Sequence, residues 1–108
     1  MEDIGLRALH KRVAGIDMHR MLHVVTVLIE QPDGSTQRQT REFGGFRRDC
    51  LALAEWLAEL GVELVVMEST GIYWKSVYAH LENAGVHAWV VNAHAIKQAP
   101  GRKTDLLP

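Results

Sequence analysis

The chain has 108 residues, the usual size of one domain, and its 47% hydrophobic and 23% charged content is typical of a soluble globular protein. Its net charge of −1 argues against a protein that binds nucleic acid through overall positive charge. We expect a cytoplasmic protein without membrane contact, because Cys50 is the only cysteine, the first residues lack a secretory signal, and apolar runs are far shorter than ~20 residues.

The first half of the chain is expected to form three strands. VAGIDMH (13–19) and LHVVTVLIE (22–30) are rich in β-branched residues, and the turn residues of QPDGST precede the run TQRQTREF (36–43). Because this third run is largely polar, we expect it at an edge of the sheet. We expect residues 1–12 to be an N-terminal extension and residues 13–108 to be the domain.

The second half alternates between helical and strand patterns. Apolar residues recur at helical spacing from Phe46 to Leu60, where Gly61 follows, and again from Trp74 to Leu81, with Ser69 or Thr70 as the N-cap and Gly85 at the end. VELVVM (62–67) and VHAWVVN (86–92) are predicted strands, the first of them buried on both faces. AHAIKQA (93–99) is predicted as a last short helix.

The resulting order is β-β-β-α-β-α-β-α, which predicts an α/β fold. Three antiparallel strands would lead into a parallel half, giving a mixed five-stranded sheet with helices on its faces, the plan of ribonuclease H-like domains. Actin-type and sugar-kinase domains share much of this order, so it does not by itself identify the chemistry.

Three acidic residues stand where an apolar run ends or is interrupted: Asp17, Glu68 and Asp105. A lone buried carboxylate is costly, and three converging carboxylates repel one another, but a divalent cation relieves both problems. Mg²⁺ and Mn²⁺ prefer oxygen ligands, and a pair of such ions can support phosphoryl transfer. Asp17 and Glu68 would be neighbours if the first and fourth strands pair. Capping, turn and salt-bridge roles remain the alternative for each acid alone.

Further residues are candidates for contacts with nucleic acid. Arg102 and Lys103 could neutralise a phosphate, Arg20 and Lys75 are weaker candidates, and Tyr73 could stack on a base. Each could equally be part of a solvated surface. The six histidines lack the spacing of a zinc site, so we interpret them as structural or surface residues; His19 alone is close in sequence to Asp17.

Three blocks carry a resemblance: GIDMHRMLHVVTV, VVMESTGIYWKSVYAHLENAG and VVNAHAIKQAPGRKTD. They resemble the N-terminal, RuvC-like domain of the DEDD-type insertion-sequence transposases, the group that includes the Piv DNA invertase and the bridge-RNA-guided recombinases. The resemblance covers about residues 13–105. It implies metal-dependent DNA cleavage and strand transfer, with Asp17, Glu68 and Asp105 as catalytic metal ligands for Mg²⁺ or Mn²⁺. It further implies DNA as a partner, a structured guide RNA and a homo-oligomer.

The sequence also departs from the pattern of that family. The family's fourth acid falls on Pro108, and its C-terminal domain with a nucleophilic serine is absent from the sequence. We therefore expect a truncated catalytic domain that is inactive alone, and whether the chain is itself an enzyme stays open. One alternative is a non-catalytic module for nucleic-acid binding or dimerisation. A nucleotide-binding domain of the actin type is more remote, since the Gly-rich phosphate loops are missing.

Overall fold

Five strands and two helices make up residues 11–68 and 71–92, the part of the chain that the computed structural model describes. The strands are β1 (Arg12–Met18), β2 (Leu22–Glu30), β3 (Thr36–Gly44), β4 (Leu64–Glu68) and β5 (Ala88–Val91). The helices are α1 (Arg47–Glu59) and α2 (Tyr73–Asn83). Residues 1–10 of the predicted extension, the predicted helix 93–99 and the predicted caps Ser69 and Thr70 lie outside the described residues. Arg12, the last residue of the predicted extension, is the first residue of β1.

The strands form one mixed sheet in the order β3-β2-β1-β4-β5. β1, β2 and β3 pair antiparallel, whereas β4 is parallel to both β1 and β5. This confirms the predicted ribonuclease H-like plan. The polar strand β3 lies at an edge, as its composition predicts, because an edge strand can leave both of its faces to water.

The hydrophobic core lies on one face of this sheet. Side chains of a strand alternate between its two faces, and in β1 the buried residues Ala14, Ile16 and Met18 alternate with the exposed Gly15 and Asp17. Both described helices pack on the buried side. They contribute Cys50, Leu53, Ala54 and Leu57 from α1 and Val77 and Leu81 from α2 to a single cluster with the strand residues.

The opposite face of the sheet carries the other half of each strand. Gly15 and Asp17 of β1 point there, as do Val24 and Thr26 of β2, because they alternate with the core residues. Neither described helix covers this face. No described helix is long and apolar enough to span a membrane.

Helix α2 begins later than the sequence predicts. Its N-cap is Ile72, which makes no side-chain capping hydrogen bond, so the prediction of Ser69 or Thr70 as the cap is wrong. Gly71, which directly precedes this N-cap, has a φ of +60°, a left-handed conformation that suits glycine. Gly85 follows α2 with a φ of +79°, at the end that the sequence predicts.

Candidate functional site

Asp17 and Glu68 lie at matching positions of two neighbouring strands. In the parallel pair of β1 and β4, Ile16 is opposite Met67, and the two acids are the next residues of their strands. Such strands are about 4.8 Å apart. Both acids line one open depression of about 450 Å³, together with Gly15, Thr26, Val66 and Val91. The depression is at the carboxyl ends of the parallel strands, where open α/β sheets bind ligands.

The two carboxylates are exposed rather than buried. The side chain of Asp17 is 74% exposed, and Glu68 is also exposed at the end of β4, whose preceding residues are largely buried. The predicted strand 62–67 is largely buried, and Glu68 directly follows it. The expectation that a buried carboxylate would demand a cation is wrong, because both acids are exposed. The physical reason is that neither described helix covers this face. The argument for a cation then depends on the proximity and the chemistry of the two oxygen donors.

His19 is in direct contact with Asp17. Its Nε2 atom lies 3.2 Å from Oδ2 of Asp17, and its side chain is 57% exposed. His19 is close to Asp17 in the sequence, but its interpretation as a structural or surface residue did not include this contact. The two-residue spacing between Asp17 and His19 predicts such a contact, because residues i and i+2 of an extended chain point to the same side.

The donor atoms at this end of the sheet have the chemistry that a divalent cation requires. Two carboxylates supply the hard oxygen ligands that Mg²⁺ and Mn²⁺ prefer, and the imidazole of His19 supplies a nitrogen. Within residues 11–68 and 71–92, no three acidic, histidine or cysteine side chains form a ready metal-binding group. Asp105, the third predicted ligand, lies outside the described residues.

Three of the residues predicted to contact nucleic acid lie at the same end of the sheet. Arg20 is exposed in the turn after β1, and Tyr73 and Lys75 belong to the first turn of α2, which follows β4. Tyr73 is 38% exposed, and Nζ of Lys75 lies 6.0 Å from the ring centre of Trp74. Arg102 and Lys103 lie outside the described residues.

Comparison with known protein families gives one match that covers most of the chain. Residues 14–107 match the model of the DEDD transposases of the IS110 type, described as a transposase. This range contains Asp17, Glu68 and Asp105. No curated protein matches the sequence.

Solved structures with a similar fold include a RuvC protein and a viral resolvase. Thermus thermophilus RuvC has a TM-score of 0.59 at 19% identity, covering 82% of this chain and 68% of that one. Fowlpox virus resolvase, solved with Holliday junction DNA, has a TM-score of 0.56 at 9% identity, covering 87% and 67%. An Aquifex aeolicus member of the Ppx/GppA family has a TM-score of 0.51 at 14% identity, covering 78% and 36%. At these identities the likeness shows a RuvC-like fold alone.

Proposed function

Since the chain belongs to the DEDD transposase family of the IS110 type, we propose that it is a catalytic domain for metal-dependent DNA cleavage and strand transfer. The observation that supports this most directly is the placement of Asp17 and Glu68 at matching ends of adjacent parallel strands, in one open depression. Asp105 is the proposed third ligand. Mg²⁺ or Mn²⁺ is the proposed cofactor.

The charges of the site favour this chemistry. Two exposed carboxylates would repel the phosphate backbone of DNA, so a bound strand needs a cation between them and the phosphate. Asp17 and Glu68 would hold such an ion, which would supply Lewis-acid polarisation of the scissile phosphate and activation of the attacking oxygen. The cationic side chains of Arg20 and Lys75 can orient the strand at the same end of the sheet, and Tyr73 is exposed enough to stack on a base.

DNA is the proposed substrate, and a branched form of it is the first probe to use. The fowlpox virus resolvase that shares the fold was solved with a Holliday junction. A four-way junction should therefore bind this chain more tightly than a duplex of the same length, and Mn²⁺ should strengthen the binding. The guide RNA and the homo-oligomer implied by the sequence stay predictions.

Calorimetric titration with Mn²⁺ tests the metal site without requiring activity. We expect the wild-type chain to bind Mn²⁺ and the double variant Asp17→Asn, Glu68→Gln to lose that binding, because both carboxylates are neutralised. The matched control is Glu55→Gln with Glu59→Gln, which removes the same charge from exposed positions of α1. This control should bind Mn²⁺ like the wild type.

Two results would contradict the proposal. Binding heat that survives in the Asp17 and Glu68 double variant would show that the ion binds elsewhere. DNA binding that is equally tight in EDTA and in Mn²⁺, together with no heat of binding for Mn²⁺ or Mg²⁺, would instead favour the non-catalytic nucleic-acid module. Self-association in the absence of nucleic acid, measured by analytical ultracentrifugation, tests the predicted oligomer separately.

A further inference from the structure

We propose that His19 is a direct ligand of the metal ion beside Asp17, so that the site has mixed nitrogen and oxygen donors and prefers Mn²⁺ to Mg²⁺. This inference rests on the proposed function, because it takes Asp17 as a metal ligand. It adds a ligand that the three acids do not include. It also names the class of cation that the site takes, a divalent transition-metal ion.

The distance between the two side chains fits two neighbouring ligands of one ion. Nε2 of His19 and Oδ2 of Asp17 are 3.2 Å apart. In an octahedral site with bonds of about 2.1 Å, adjacent ligand atoms are separated by about 3 Å. An ion can therefore bind both atoms with little movement of either side chain. The neutral imidazole would then carry its proton on Nδ1, which leaves the lone pair of Nε2 free for the metal.

The backbone holds His19 in this position. The peptide N–H of His19 donates a hydrogen bond of 2.8 Å to the carbonyl oxygen of Leu22, which closes the turn between β1 and β2. Gly45 packs against the outside of the same turn. A Cβ at Gly45 would lie 2.9 Å from the carbonyl oxygen of Arg20 and 3.0 Å from Cα of Met21. These contacts hold the backbone of the turn that carries His19, and the contact with Asp17 orients its side chain.

The imidazole is also accessible to an ion from solvent. The side chain of His19 is 57% exposed, and that of Asp17 is 74% exposed. Among the described residues, Asp17 is the only hydrogen-bonding partner of this imidazole ring. A histidine that only supported the fold would be expected to pack against apolar neighbours or to bind a backbone group. His19 instead directs a ring nitrogen at a carboxylate on the rim of the open depression.

The chemistry of imidazole predicts which ion benefits. Mg²⁺ is a hard cation that keeps oxygen ligands and water, whereas imidazole nitrogen binds transition-metal ions well. Loss of His19 should therefore weaken the binding of Mn²⁺ and leave the binding of Mg²⁺ almost unchanged. A role of His19 through its hydrogen bond to Asp17 alone would weaken both ions to the same extent.

Electron paramagnetic resonance of the chain with bound Mn²⁺ tests this inference. Pulsed measurements should detect ¹⁴N coupling from a coordinated imidazole in the wild type and in His80→Gln, whose histidine binds the Ser76 carbonyl oxygen on α2. The coupling should disappear in His19→Gln, which keeps an N–H donor for Asp17. We expect His19→Gln to weaken Mn²⁺ binding by at least about tenfold, since the loss of a residue that only supports a ligand already costs that much. Its affinity for Mg²⁺, measured by competition, should be unchanged.

Three outcomes would overturn the inference, and they separate it from the proposed function. If Mn²⁺ binds without ¹⁴N coupling and is lost in Asp17→Asn, the metal site stands and His19 is not a ligand. Equal weakening of Mn²⁺ and Mg²⁺ in His19→Gln would assign the histidine a positioning role only. If the wild-type chain binds neither ion, both the inference and the metal-dependent function fail. Circular dichroism of each variant checks that the fold is retained.

Discussion

Two histidines of the β1–β2 hairpin are four residues apart and lie in opposite environments. His19 is exposed beside Asp17, whereas His23 is 1% exposed on the face that the helices cover. Nδ1 of His23 is buried without a hydrogen-bond partner. Burial lowers the pKa of His23, the charge of His19 lowers it further, and the carboxylate of Asp49 partly opposes both effects. His23 therefore favours the neutral form in the folded protein.

We predict that His23 makes the fold sensitive to acid. The unfolded chain takes up a proton at the ordinary pKa of 6.5, and the folded chain does so only at lower pH. The stability that His23 contributes is thus complete above that value and is lost as the pH falls below it. Melting temperatures measured from pH 8 to pH 5 should fall less steeply in His23→Leu than in the wild type. Parallel curves for the two proteins would contradict this assignment.

The segment between β3 and α1 makes contacts at the start of α1 and at the turn that carries His19. Asp49, in the first turn of α1, accepts a hydrogen bond of 3.0 Å from the backbone N–H of Phe46 and so fixes the start of the helix. Gly45 just before it contacts the turn that carries His19. The segment that leads into α1 therefore packs closely against the backbone of the turn that carries His19. The sequence pattern of α1 alone does not reveal this contact.

We predict that Gly45→Ala lowers the stability of the fold. The added methyl group would overlap the backbone of Arg20 and Met21, which cannot yield like a flexible side chain, so we expect a loss of about 1–3 kcal/mol in the free energy of unfolding. The matched control is Gly15→Ala, because a Cβ there meets no atom within 4 Å. Urea titration of both variants measures the effect. Equal stabilities would show that the turn does not depend on this close approach.

At the scale of the whole molecule, one core holds the described residues together. Helices α1 and α2 and the buried face of the sheet share a single hydrophobic cluster, while the open face carries Asp17 and Glu68. The residues that stabilise the fold therefore lie on one face of the sheet, and the candidate metal ligands lie on the other. Changes to the carboxylates should therefore affect ion binding far more than folding.

We predict that Leu53→Ala tests the core without touching the site. Leu53 is 0% exposed on α1, so its truncation should cost about 2–5 kcal/mol through lost apolar contacts and a residual cavity. Leu51→Ala makes the same change on the same helix at a side chain that is 49% exposed, and it should cost less than about 0.5 kcal/mol. Urea unfolding followed by circular dichroism gives both values. Similar losses for the two variants would contradict a core on this face of α1.

The element order and the strand at the edge could be predicted from the sequence because they follow from local patterns. The change from a period of two to a period of about 3.6 at Phe46 identified α1, and the polar run 36–43 identified β3 as an edge strand. The start of α2 could not be predicted, because the left-handed Gly71 separates Thr70 from the helix. A good capping residue is only a local preference, and the path of the chain overrides it.

The sequence alone determined the ribonuclease H-like plan and the identity of the acids that resemble the transposase pattern, since both follow from the order of residues along the chain. Only the tertiary structure decided that Asp17 is 74% exposed and that His19 reaches its carboxylate. The same holds for the packing of both described helices on one face of the sheet. The physical reason is that exposure and contact depend on which distant segments cover a surface, and a period along the chain does not contain that information.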